Sequence, residues 1–185
     1  MQLKNYGQRI SVGQWLVDMA FTLGILTISD KGSRGERIDE SGKVIKQILA
    51  ALDARVLKYE VVPDEKEIIS AKLVEWVDKD KLDLIVTTGG TGLTPRDVTP
   101  EATLAIIDKE VPGFAEAMRA ESLKKTPMAV LSRAVSGIRK RSLIINLPGS
   151  PKAVRECLEV ISPAFGHAVE TLRGQSGDCA DKSHK

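Results

Sequence analysis

Residues 82–88 (LDLIVTT) form a strand-length run whose centre, Leu84-Ile85-Val86, is apolar without alternation and which is stopped by Gly89-Gly90. A strand with one wet face would alternate apolar and polar residues. A run like this one suits a parallel strand buried on both faces. Parallel neighbours need crossovers of roughly a dozen residues or more, usually helical, and the chain supplies them. Residues 41–52 place Val44, Ile45, Ile48, Leu49 and Leu52 three or four apart, an amphipathic helix. Two more strand-like runs, 23–28 and 56–62, flank that helix, the second stopping at Pro63. Asp64 then reads as an N-cap with Glu67 three residues on, opening a helix to about Asp80 whose buried stripe is Ile68, Ile69, Leu73, Trp76 and Val77. The pattern predicts an α/β fold, a three-layer α/β/α sandwich around a mostly parallel sheet.

Downstream, Thr99 as N-cap and Pro100 at the first helical position predict a short helix to about Lys109, and Pro112 opens another over about 113–124. Residues 130–138 and 142–147 read as strands around the basic turn Arg139-Lys140-Arg141, followed by helices at about 151–161 and 163–173. Residues 1–21 are expected to be an extension, its apolar stretch 15–21 broken by Asp18 and so unlike a secretory leader. Residues 175–185 hold no apolar side chain larger than Cys179 and Ala180 and are expected to be a disordered tail. That leaves 22–174 as one domain.

Charge and composition exclude several functions. The net charge is +2 with basic residues interspersed, and three Phe, two Tyr and two Trp are too few for base stacking, so no nucleic-acid partner is expected. No run approaches the ~20 apolar residues of a membrane span. Cys157, Cys179, His167 and His184 have no zinc-site or CxxC spacing, and a Ser-His-Asp or Cys-His arrangement is not evident. Reduced cysteines suit a cytoplasmic protein.

In an open parallel sheet, ligands bind beyond the carboxyl ends of the strands. Those ends are Ser29-Asp30, Pro63-Asp64-Glu65, Gly89-Gly90-Thr91-Gly92 and Asn146-Leu147-Pro148-Gly149-Ser150-Pro151. The glycines of GGTG allow a sharp turn that brings amides to an anion, or they simply turn the chain from strand to helix. The loop is not a P-loop, and GxGxxG fails at Pro95. Asp97, beside Arg96, either faces what the glycines cradle or pairs with that arginine. Asp64 is either a helix cap or a second carboxylate, and two carboxylates with phosphate oxygens suit Mg²⁺. Gly149-Ser150-Pro151-Lys152 is either a capped helix start or a second anion site.

Residues 87–103 (TTGGTGLTPRDVTPEAT), with PGF at 112–114, SRAVSGIRKRSLIINLPGSPKAV at 132–154 and TISD at 27–30, resemble the molybdopterin adenylyltransferases of molybdenum cofactor biosynthesis. Relatives of that family include the MogA and MoaB types and the G domain of gephyrin. The likeness runs in unbroken order over about 22–174. It implies a single molybdopterin-binding-type domain, commonly a homotrimer, that transfers AMP from ATP to the terminal phosphate of molybdopterin with Mg²⁺ and releases pyrophosphate. The product would pass to a separate molybdenum insertase. By motif, Asp64 and Asp97 correspond to the family's required acidic residues and would hold the metal. Ser29, Asp30, Gly89, Gly90, Thr91, Gly92 and Arg96 fall in the nucleotide region, and Ser132, Arg133, Asn146, Pro148, Gly149, Ser150 and Lys152 in the molybdopterin region. A phosphate nucleophile is largely dianionic at neutral pH, which agrees with the scarcity of histidine. A molybdopterin-binding or scaffold role without catalysis is the alternative.

Overall fold

The computed structural model describes residues 21–174. Apart from Phe21, the expected extension and the tail, with Trp15, Cys179 and His184, lie outside the described residues. Six strands, β1 (Phe21–Ile28), β2 (Ala54–Val62), β3 (Leu84–Thr88), β4 (Lys109–Glu110), β5 (Ser136–Arg139) and β6 (Ser142–Leu147), form one sheet in the order β2-β1-β3-β6-β5-β4. β2, β1, β3 and β6 run parallel, and β5 and β4 continue antiparallel to the edge. Every residue of β3 is buried, as a central parallel strand requires.

Helices cover both faces. α2 (Glu40–Ala50), α5 (Pro112–Leu123), α6 (Pro151–Ile161) and α7 (Phe165–Arg173) pack on the face carrying Leu23, Ile25, Val86 and Ile145. α3 (Lys66–Asp78) and the short α4 (Thr99–Leu104) cover Leu26, Ile28, Ile85 and Ile144. The three-layer sandwich is therefore realised. Gly24 lets the layers close: a Cβ there would stand 2.7 Å from both Trp76 and Leu82, so the α3 tryptophan lies directly on the β1 backbone. Among the described residues no helix is long and apolar enough to cross a membrane.

Several elements differ from expectation. β1 begins at Phe21, a buried core residue, one position before the expected boundary. The stretch after β1 contains a one-turn helix, α1 (Asp30–Ser33), capped by the Ser29 hydroxyl. Asp64 does not cap α3. That helix starts at Lys66, and the Asp64 carboxylate instead accepts the amide of Asp30 at 2.8 Å. Thr99 lies inside α4 rather than at its cap, because its hydroxyl donates to the carbonyl of Gly89. α4 ends at Leu104, since residues 109–110 are drawn into the edge strand against β5. Residues 130–135 are not a strand; a Thr126-capped 3₁₀ turn (Pro127–Leu131) is followed by Arg133, whose amide bonds to Thr91 instead of a ladder. β5 and β6 form the hairpin, with Lys140 in the left-handed region at φ 54°.

Candidate active site

The topology brings the ends of β2, β1, β3 and β6 to one edge, where they border a cleft of about 410 Å³. Ser29, Asp64, Gly89, Gly90, Gly149 and Ser150 all line it. The loop after β3 turns through two left-handed glycines, Gly89 at φ 98° and Gly90 at φ 63°. A Cβ on Gly89 would stand 2.3 Å from the carbonyl oxygen of Ile28, so only glycine lets β3 leave the sheet here.

Each carbonyl of the GGTG loop is held by the protein. The Thr99 hydroxyl donates to Gly89 O at 2.9 Å and the Thr99 amide to Gly90 O at 3.1 Å. The Arg133 amide donates to Thr91 O at 3.0 Å and its Nε to Gly92 O at 2.7 Å. In a planar trans peptide the following N–H points opposite to the carbonyl. Pinning four carbonyls thus turns the amides of Gly90, Thr91, Gly92 and Leu93 away from these partners, and among the described residues none of the four finds an acceptor. The 148–150 segment repeats the device. Thr88 Oγ1 donates to Pro148 O at 2.7 Å and Ser41 Oγ to Gly149 O at 2.8 Å, and among the described residues the Gly149 and Ser150 amides ahead of α6 find no acceptor. The two loops touch, since a Cβ on Gly149 would lie 3.4 Å from Gly89 Cα. Ser150 caps α6 through its hydroxyl, and unpaired amides at a helix start attract anions.

Two carboxylates flank these amides. Asp64 gives one oxygen to the Asp30 amide, and Asp30 returns the bond to the Asp64 amide at 3.1 Å. Burial pushes the Asp64 carboxyl above its ordinary range, and the negative charges of Asp30 and Asp97 push it further against that hydrogen bond. Arg96 does not pair with Asp97. Its guanidinium grips Asp30 at 2.8 and 3.1 Å and reaches Glu65, which holds the Asp30 carboxyl low. Asp97 gives one oxygen to the Thr94 amide at 2.8 Å. Both carboxylates abut the glycine loop, since a Cβ on Gly90 would lie 3.2 Å from Asp64 Oδ1 and one on Gly92 3.0 Å from Asp97 Oδ2.

Not every expected residue borders the cleft: Asp30, Thr91, Gly92, Arg96, Asp97 and Pro148 adjoin its lining residues without being among them. Asn146 is fully buried, its amide group donating to the hydroxyls of Thr87 and Thr103 at 3.0 and 2.9 Å. Arg133 lies behind the GGTG loop, with further bonds to Asp97 O and to Glu101. The Ser132 hydroxyl accepts the Ala134 amide at 3.4 Å, and Lys152 is exposed on the first turn of α6. Among the residues the cleft adds are Arg37, Asp39, Ser41 and Thr88, none of them singled out beforehand. Asp39 caps α2 by accepting the Gly42 amide and also accepts the hydroxyls of Thr27 and Tyr59. The visible signal was Asp39 three residues before Gly42 at the start of a helical pattern, a capping spacing.

A parallel sheet whose carboxyl edge gathers two sets of unpaired amides and two carboxylates belongs to the class of α/β domains that receive anionic ligands. The sequence profile described as "Probable molybdopterin binding domain" matches residues 24–167. The chain is 48% identical over 154 residues to a molybdopterin adenylyltransferase of Helicobacter pylori (strain J99), covering 82% of this chain and 88% of that one. It is 45% identical to the molybdopterin adenylyltransferase of Escherichia coli K12, covering 80% and 76%. Among solved structures, the molybdopterin biosynthesis enzyme MoaB of Thermus thermophilus superposes with a TM-score of 0.79 at 55% identity, covering 83% of this chain and 97% of that one. The chain belongs to the molybdopterin-binding domain family of molybdenum cofactor biosynthesis.

Proposed function

We infer that this chain is a molybdopterin adenylyltransferase, transferring AMP from ATP to the terminal phosphate of molybdopterin. The observation that carries the reading is the GGTG loop, with four carbonyls pinned from behind, four amides that find no acceptor among the described residues, and Asp64 and Asp97 against its glycines. A phosphate oxygen of molybdopterin attacks the α-phosphorus of ATP; the new P–O bond forms as the bond to pyrophosphate breaks. The nucleophile has a second pKa near ~6, so no histidine base is required. The chain's task is positioning and charge stabilisation.

In this reading the amides of residues 90–93 bind ATP phosphates and those of Gly149 and Ser150 receive the pterin phosphate, with Ser132 and Lys152 on that side. Arg96 fixes the Asp30 carboxylate and with it Asp64. The donor set suits magnesium: hard carboxylate oxygens, no nitrogen or sulfur ligand, and no group of three or more ligating side chains among the described residues, so phosphates would complete the shell. The raised carboxyl of Asp64 beside two like charges is the electrostatic setting that a divalent cation relieves. Asp64 and Asp97 would hold the ion, which when bound supplies neutralisation of phosphate charge.

We take the catalytic unit as the domain expected over residues 22–174, which β1 extends to Phe21, working in the cytoplasm as a homotrimer that passes its product to a separate molybdenum insertase. The test is to mix the protein with molybdopterin, ATP and Mg²⁺ and follow adenylylated molybdopterin and pyrophosphate. Asp97→Asn should fold and bind molybdopterin while turnover falls by roughly 10²–10³-fold. Equal turnover in Asp97→Asn would remove its role. Pterin binding by the unaltered protein without product would leave a binding or scaffold function instead.

A further inference from the structure

Motif position groups Arg133 with the residues that receive the molybdopterin phosphate, and a guanidinium is the expected partner for such a group. Its geometry points elsewhere. The Arg133 main-chain amide holds Thr91 O, Nε holds Gly92 O at 2.7 Å, Nη2 holds Asp97 O, and Nη1 pairs with Glu101 of α4. One residue therefore spans the segment from the glycine loop to Asp97 and ties both ends to α4. Two of the four pinned carbonyls depend on it. All three guanidinium nitrogens of Arg133 are engaged within the protein.

We propose that Arg133 is a positioning residue for the nucleotide loop and for Asp97, and not a contact of the molybdopterin phosphate. The inference rests on the adenylyltransferase reading above. A planar fork is what the task demands, because three N–H groups must reach Gly92 O, Asp97 O and Glu101 from one rigid plane. Lysine offers a point charge without that plane. The two roles therefore predict opposite behaviour for the conservative variant. A phosphate contact is retained in part by Arg133→Lys, which keeps the charge and loses only the fork, so the lysine variant would bind molybdopterin better than Arg133→Met; a brace that needs the planar fork is lost in both.

The experiment compares the full-length chain with Arg133→Lys and Arg133→Met. Four quantities are followed: thermal unfolding, molybdopterin binding by pterin fluorescence, binding of a non-hydrolysable ATP analogue with Mg²⁺ by calorimetry, and the initial rate of adenylylation. Both variants should lose about ten- to a hundredfold in kcat/KM for ATP and bind the analogue more weakly, the size expected for lost charge-assisted hydrogen bonds. Their Kd for molybdopterin should stay within about twofold of the unaltered chain. Weakened molybdopterin binding in Arg133→Met that Arg133→Lys restores wholly or in part would overturn the proposal, as would unchanged ATP kinetics and analogue binding in both. If neither variant folds, Glu101→Gln loosens the guanidinium without removing it; the ATP terms should fall several-fold with molybdopterin binding intact, and unchanged ATP terms again overturn it. An unaltered chain that makes no product refutes the adenylyltransferase reading by itself, while the two binding measurements still decide what Arg133 does.

Discussion

Replacing Gly90 and Gly92 separately by alanine distinguishes the architecture of the loop from its chemistry. Gly90 has φ 63°, and left-handed backbone costs an alanine about 1–2 kcal/mol. The new methyl would also stand 2.4 Å from Thr99 Oγ1, a fully buried hydroxyl that must leave its bond to Gly89 O to make room. Losing that bond costs about 0.5–1.5 kcal/mol. The smaller conformational entropy of unfolded alanine returns about 0.4–1 kcal/mol. Gly90→Ala should therefore destabilise by about 1–3 kcal/mol, read as a lower urea midpoint at unchanged m-value, or a fall in Tm of roughly 3–10 °C. Gly92 has no positive φ, and its added methyl would meet only Asp97 Oδ2 at 3.0 Å and neighbouring atoms of that carboxylate. Gly92→Ala should unfold within about 0.5 kcal/mol of the unaltered chain, yet turn over more slowly because the Asp97 carboxylate must shift. Two results would refute the reasoning: a Gly90→Ala protein as stable as its parent, or a Gly92→Ala protein with full turnover.

Asp64 and Asp83 should show opposite pH signatures. Asp64 has a folded pKa raised above its unfolded value, so its stabilising share is present only at low pH and its ionisation at neutral pH costs stability. Asp64→Asn should be at least as stable as the parent at pH 7 by thermal melting, with the difference closing below about pH 4, while adenylylation is lost. A clear loss of stability at pH 7 would contradict this. Asp83 is half-buried, which alone would raise its carboxyl, but bonds from Arg173 at 2.7 and 2.9 Å and from the Thr22 amide and hydroxyl at 2.8 and 2.6 Å outweigh burial and hold it low. Its contribution is complete above the unfolded value near ~3.9 and is lost as pH falls through the folded one. Asp83→Asn should cost about 1.5–3 kcal/mol at pH 7 and much less in acid, measured by urea unfolding at both pH values; an equal cost at both would refute the charge argument.

The parallel core was legible because burial on both faces leaves its mark directly in residue type. The run that became β3 and the three-four spacing of α2 and α3 needed no tertiary information. The errors fell where a polar side chain had two partners to choose from. Asp64 and Thr99 each carry a good capping chemistry at a plausible helix start, and each is instead used across the fold, Asp64 for the Asp30 amide and Thr99 for the Gly89 carbonyl. Local propensity cannot register such a competition, because the winning partner is 34 residues away in one case and sits on a left-handed turn in the other. Residues 130–135 failed for a related reason. Their β-branched and apolar character suits a strand, but the Arg133 amide is committed to Thr91 and cannot join a ladder.

The same competition explains which part of the site was hidden. A loop that binds anions through its main chain shows itself by its glycines, since only they tolerate the turn and the close approach to Ile28 O. Glycine, however, provides only permission. With its freedom of rotation, a GGTG segment could equally present carbonyls to the cleft and repel the phosphate that the proposed function assigns to it. What selects amides is the set of donors on the far side: Thr99 twice, Arg133 twice, and on the second loop Thr88 and Ser41. These six bonds come from four residues on different elements, so no spacing rule could gather them. Arg133→Lys and Arg133→Met remove one of the six, the Nε bond to Gly92 O, and keep the main-chain bond to Thr91 O and every glycine, so they probe the donors apart from the turn itself.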